Sequence, residues 1–255
     1  MLPDRSSVFG GIRSFVRARL TWGVRYGLGL TLAVAATFAA LWVFVEMEDA
    51  FTDAGGVAEI DRAVMDAAQA VVSDELTPWV VRLTDTGSTV AFTVLVVAVG
   101  LGLLAARRWW ETLQLVAASG LGGLVVLGLK AVFSRPRPAE QVIDATGFSF
   151  PSGHAFAATV FYGTLLTIVW QVTDRVVWRA LATALFPLAA LAIGLSRIYL
   201  NVHYVTDVVA GFASGLVWLT AVYLVVDGVE HRRKRVEQAA QNVAQHTDEE
   251  PREVA

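Results

Sequence analysis

The chain contains no cysteine. That excludes thiol catalysis, thiolate metal sites and any dependence on a redox compartment. Charge is scarce as well: Asp, Glu, Lys and Arg make up 17% of the residues, against about 25% in ordinary globular chains. Lysine is nearly missing, with 2 Lys beside 18 Arg. A net charge of −3 gives no support for nucleic-acid binding. What is abundant is apolar: 55% of the residues are hydrophobic and the mean hydropathy is +0.56. Long stretches carry no charge and the two ends are dense in it. That pattern belongs to a polytopic membrane protein, not to a soluble, disordered or disulfide-stapled chain.

The charge-free runs set the spans. Arg25 and Glu46 enclose 20 residues, Asp85 and Arg107 enclose 21, and Glu111 and Lys130 enclose 18. Asp144 and Asp174 enclose 29, Arg179 and Arg197 enclose 17, and Asp207 and Asp227 enclose 19. A helix crosses the hydrocarbon core with about 20 apolar residues, within a range of about 17–25. The 29-residue run is too long, but its polar, Pro-containing front at 145–152 places the helix start near Gly153. Lipid tolerates only helices or closed barrels, and the alternation of a barrel is missing. The expected fold is therefore all-α, with six transmembrane helices in a bundle. Spans are expected at about 26–46, 87–106, 112–133, 153–173, 179–196 and 205–226. Residues 1–24 precede the bundle (25–227) and a charged tail (228–255) follows it. The first apolar run exceeds the roughly 7–15 residues of a signal peptide, so it is read as an uncleaved span.

Arginine and lysine give the orientation. With the N-terminus in the cytoplasm, 14 of the 20 lie inside. The six outside are Arg62, Arg82, Lys130, Arg135, Arg137 and Arg197. The loop from Glu46 to Asp85 holds ten acids. Within it Val57, Ile60, Val64, Ala67, Ala68 and Val71 recur at helical spacing, which predicts a short amphipathic helix lying on the outer surface or capping the bundle. The tail opens basic at His231–Arg235, where it stops translocation and meets anionic lipid. Its acidic end, with Asp248, Glu249, Glu250 and Glu253, reads as solvated and disordered.

Three polar clusters survive at the membrane edge. Lys130 to Pro138 closes the third span, Pro151-Ser152-Gly153-His154 opens the fourth, and Ser196 to Asp207 links the fifth and sixth. Antiparallel spans bring all three to one face, the outer one by the charge bias. Taken singly, each has a plain reading. Lys130 could be a snorkelling lysine. The Ser-Gly turn could be a helix cap. His203 and Asp207, four apart on one helix face, could be a hydrogen-bonded interfacial pair. A metal held by His154, His203 and Asp207 would be repelled by the nearby cations. Together the clusters fit a phosphate. Lys130, Arg137 and Arg197 supply charge and forked donors. Gly153 permits close backbone approach at a helix mouth that favours anions. Two histidines allow one nucleophile and one general acid.

At these residues the sequence resembles the type 2 phosphatidic acid phosphatase family of integral membrane phosphatases. The family pattern is Lys-x6-Arg-Pro, Pro-Ser-Gly-His and Ser-Arg-x5-His-x3-Asp. Here it reads Lys130 to Arg137-Pro138, Pro151 to His154, and Ser196-Arg197 to His203 to Asp207. Every specified position matches. Arg135-Pro136 doubles the Arg-Pro, and the spacing selects Arg137 and leaves Arg135 without a role.

The resemblance implies a metal-independent phosphatase, related to vanadium haloperoxidases, that needs no cofactor. It implies His203 as nucleophile, Asp207 orienting it, and His154 as acid. Lys130, Arg137, Ser152, Gly153 and Arg197 would hold the phosphoryl group. The expected substrate is a lipid phosphomonoester or polyprenyl diphosphate in the bilayer. A phosphotransferase using the same site, or a non-catalytic scaffold, are the competing readings.

Overall fold

A computed structural model of the protein describes residues 28–55 and 57–249. The N-terminal segment 1–24, with four of its arginines, and the end of the acidic tail lie outside the described residues. The regular secondary structure among the described residues is all helical. In order the helices are α1 (Leu28–Asp53), α2 (Glu59–Gln69), α3 (Thr77–Asp85), α4 (Thr89–Ala105), α5 (Trp109–Phe133), α6 (Gly153–Val172), α7 (Val176–Tyr199) and α8 (Val205–Glu249).

The spanning stretches of α5 to α8 carry few charges, as a lipid-bathed helix must. Helices α5, α6, α7 and the 205–242 part of α8 are each long and apolar enough to cross a membrane. Helices α3 and α4, bent by 46° where they meet, make a fifth if taken as one span. Six spans were expected; among the described residues the count is four, or five with the bent pair. Helix α1 stands where the first was expected and lies along α8. The second expected span, 87–106, is preceded by a separate helix. Pro78 sits in the first turn of α3 and Ser88 caps α4, its hydroxyl accepting from the Ala91 N–H at 3.2 Å. The tail expected from 228 does not begin a new element, because α8 continues unbroken to Glu249.

Helices α6 and α8 form the centre. About two in five residues of their apolar windows are buried (39% and 44%), against 17% for α5 and α7. They approach closely because small residues face each other. A Cβ on Gly211 would lie 2.6 Å from the Ser152 carbonyl oxygen, and one on Gly215 would lie 3.0 Å from that of Phe156. Outward-facing Phe38, Val90, Leu101, Leu124, Val132 and Leu188 present an apolar surface to lipid. Exposed Trp109, Trp170 and Trp178 mark one end of the bundle, where an aromatic belt is expected. The three sequence clusters lie at the opposite end.

At that end α2 packs on α7 and α8. It caps the bundle, the second of the two positions its periodicity allowed. The packed face differs from the expected one. Val64 and Ala68 pack beside Ile198, Val205 and Val208, whereas Ile60 and Val71 are exposed. The third member of the buried face is an acid, Asp61, with 0% exposure.

Candidate active site

Helix α5 ends in a left-handed Ser134 (φ 46°), which turns the chain into the 134–152 loop. Lys130, in the last turn of α5, donates to the carbonyls of Phe148 (2.5 Å) and Ser149 (3.3 Å). Ser149 donates in turn to the Pro136 carbonyl at 2.9 Å. Arg137 is thereby aimed inward. Its Nε donates to the Thr146 and Gly147 carbonyls, and its Nη1 donates to Val202 O at 2.6 Å.

The α7–α8 connection supplies His203 and the first turn of α8 supplies Asp207. Asp207 Oδ2 accepts the Tyr204 N–H at 2.9 Å and lies 3.3 Å from His203 Nδ1. His203 Nε2 lies 3.1 Å from Arg137 Nη1. A guanidinium can only donate, so Nε2 must present its lone pair. The ring proton then sits on Nδ1 and is given to Asp207. Burial lowers the His203 pKa to about 4, against the upward pull of the Asp207 hydrogen bond. At neutral pH the imidazole is therefore an uncharged base, with its lone pair on Nε2 facing Arg137.

Ser152 precedes α6, its N–H donating to the Asp207 carbonyl oxygen at 2.9 Å. That bond ties the α6 mouth to the dyad. Gly153 and Lys130 are adjacent: a Cβ on Gly153 would lie 3.7 Å from Lys130 Cε. His154 sits in the first turn of α6 and lines a cavity together with Lys130 and Gly153. Arg197 is buried in the last turn of α7, its Nη1 donating to Thr84 Oγ1 of α3 at 2.8 Å. Among the described residues, Ser152 Oγ and Arg197 Nε are buried without a hydrogen-bond partner. Two unpaired donors beside three cations suit the oxygens of a phosphoryl group. No group of three or more His, Asp or Glu among the described residues could hold a metal ion.

All eight residues singled out from the sequence thus lie at one end of the bundle, around the α5 end, the α6 start and the α7–α8 junction. Three residues that sequence reasoning passed over lie with them. Thr84 supports Arg197. Gly87 admits His154, because a Cβ there would lie 3.2 Å from His154 Cδ2 and 2.6 Å from Ile193 Cγ2. Arg135, to which the spacing gave no role, is 2% exposed and forms ion pairs with Asp207 and Asp61.

An apolar cavity of about 390 Å³ reaches this site from the bundle wall. Lys130, Gly153 and His154 form its polar end, and Phe92, Val96, Val126, Leu127 and Phe161 of α4, α5 and α6 line the rest.

The family model of the PAP2 superfamily matches residues 111–230, which contain all three sequence clusters. Phosphatidylglycerophosphatase B of Bacillus subtilis (strain 168) is 28% identical over 201 residues, 78% of this chain and 97% of that protein. The crystal structure of a transmembrane PAP2 type phosphatidylglycerolphosphate phosphatase from Bacillus subtilis superposes with a TM-score of 0.64 at 25% identity. It covers 77% of this chain and 96% of that one. Aquifex aeolicus LpxE shares the fold, with a TM-score of 0.51 at 23% identity over 63% of this chain and 93% of its own. With the motifs inside the matched region and the bundle superposing on a solved relative, the chain is similar to the PAP2 superfamily over residues 111–230 and is an integral membrane phosphatase.

Proposed function

We propose that the protein hydrolyses a lipid phosphomonoester or polyprenyl diphosphate through a phosphohistidine on His203. The observation that carries the lipid assignment is the apolar cavity ending on Lys130 and His154. A tail in that cavity would bring its phosphate headgroup to the cationic end. The name of the Bacillus subtilis relative makes phosphatidylglycerol phosphate the first substrate to test.

In the first step His203 Nε2 attacks phosphorus, the N–P bond forms and the P–O bond to the leaving group breaks. His154 gives its proton to the departing oxygen. Arg137, Arg197 and Lys130 take up the charge on the equatorial oxygens, with Ser152 Oγ and the Gly153 N–H beside them. Asp207 stabilises the positive charge that His203 gains on bonding to phosphorus. In the second step His154 takes a proton from water, the hydroxide attacks phosphorus, and orthophosphate leaves with His203 restored. No step calls for a metal or cofactor. Full turnover in excess EDTA is therefore expected, together with inhibition by vanadate, whose five-coordinate geometry the site complements. EDTA-sensitive activity restored by Mg2+ would contradict this scheme.

The catalytic face is assigned to the outside of the cell membrane, with both termini cytoplasmic and residues 25–227 forming a six-span unit. The support is the 14-to-6 Lys/Arg bias. In this cysteine-free chain, Ala139→Cys should react with an impermeant maleimide in intact cells and Thr173→Cys should not. The reverse labelling would overturn the topology.

A further inference from the structure

The doubled Arg-Pro and the outer helix α2 meet at one buried structure. Arg135 donates from Nη1 to Asp207 Oδ1 at 2.6 Å and to Thr206 Oγ1 at 2.8 Å. From Nη2 it donates to Asp61 Oδ2 at 2.7 Å. Its guanidinium is stacked between the rings of Phe51 and Tyr204, with centroids at 4.2 and 4.0 Å. Asp61 also accepts the Thr206 N–H at 3.0 Å and the Thr206 hydroxyl at 2.9 Å. Asp61, Arg135, Thr206 and Asp207 are each at most 2% exposed.

This is more than a bundle needs for cohesion. Apolar residues of the same volume would hold α2, the 134–152 loop and α8 together at no desolvation cost. The geometry instead fixes one carboxylate. Asp207 Oδ1 is held by Arg135, which leaves Oδ2 for the Tyr204 N–H and His203 Nδ1. Without Arg135, Asp207 could rotate about χ2, and it would face Asp61 with no cation between them. Asp61 sets the charge on the other side. The Asp61–Arg135–Asp207 triad carries net −1, so Asp207 acts on His203 as a carboxylate only partly neutralised by its partner.

We infer that Asp61 and Arg135 are positioning residues of the phosphatase reaction, an outer pair that sets the orientation and charge of Asp207 and, through it, of His203. Neither is placed to touch substrate: Arg137 lies on the Nε2 side of His203 and Arg135 on the far side of Asp207. Helix α2 is then a working part of the site, since it carries Asp61 to it. The inference rests on the reading of His203 and Asp207 given above.

The test measures kcat and KM with one lipid phosphate in detergent. Active sites are counted as folded protein, from the monodisperse size-exclusion peak with a wild-type circular-dichroism spectrum, so that partly unfolded protein does not enter the rate. Arg135→Gln should lower kcat per active site by roughly 10–100-fold, the range for losing an outer partner of a functional side chain, with KM little changed. Arg135→Lys should recover part of that loss by restoring charge without the fork. Asp61→Asn, which keeps the shape and the Thr206 contacts, should show a smaller loss of kcat. Arg135→Gln combined with Asp207→Asn should be no slower than Asp207→Asn alone, because residues acting as one unit are not additive. A merely structural role predicts the opposite pattern: fewer active sites, a lower Tm, an unchanged rate per site and multiplicative losses. That pattern overturns the inference. If Asp207→Asn itself keeps full kcat, both the inference and the dyad reading fall. If Asp207→Asn is crippled while Arg135→Gln is normal per site, only the inference does.

Discussion

His203→Ala is expected to lose turnover by on the order of 10⁴–10⁶-fold, the scale of removing the attacking group of a covalent hydrolase. The position allows no substitute. His203 is enclosed (2% exposed), and its ring is fixed at both nitrogens, by Asp207 at Nδ1 and Arg137 at Nε2. Water cannot take its place in the first step without losing the alignment that the dyad supplies. The surviving cations and helix mouth would still bind phosphate, so KM should change far less than kcat. Equal loss with every leaving group is the second mark of a missing nucleophile. The assay compares kcat for a lipid phosphate and an aryl phosphate; a loss confined to the lipid would point away from His203 as nucleophile.

His154→Ala should behave differently. A lost general acid costs about 10²–10⁴-fold when the leaving group is a poor one such as an alkoxide. An activated aryl phosphate leaves with little help, so its cleavage should be slowed much less. The reason lies in where His154 stands. It opens α6 at the polar end of the apolar cavity, where a tail-bearing leaving oxygen would lie, while the Asp207 bond belongs to His203. The measurement is the ratio of alkyl to aryl phosphate turnover in wild type and variant. An unchanged ratio would remove His154 from the acid's role. Gly87 offers a milder version of the same test, since any side chain there meets the His154 ring.

How much of this was legible depended on how local each signal is. The helices were readable because charge cannot sit in hydrocarbon, so Lys130, Asp174, Arg197 and Asp207 mark where apolar runs stop. The convergence of the three clusters followed from antiparallel helices alone. The bend at Gly87 and Ser88 was missed because a charge-counting rule reports run length and says nothing of direction. The Pro78 and Ser88 caps were the available signals.

Arg135 and Asp61 were illegible for another reason. The spacing from Lys130 chose Arg137, two residues away from an equally plausible arginine. Asp61 was one of ten acids in a polar loop, and its partner stands 74 residues further along the chain. Only its place on the same helical face as Val64 and Ala68, an acid on a packing face, hinted that it was enclosed. Chain order does not record a contact between a loop helix and a span end; burial of both charges does.

The most direct test of the phosphohistidine is to trap it. Protein turning over a ³²P-labelled lipid phosphate is quenched in detergent at alkaline pH, because a phosphoramidate survives base and hydrolyses in acid. Peptides are then mapped. Label stable to base, lost in mild acid, carried by the peptide containing His203 and missing from His203→Ala protein is the predicted result. Label on His203→Ala protein, or label that base removes as it would remove an acyl phosphate on Asp207, would contradict it.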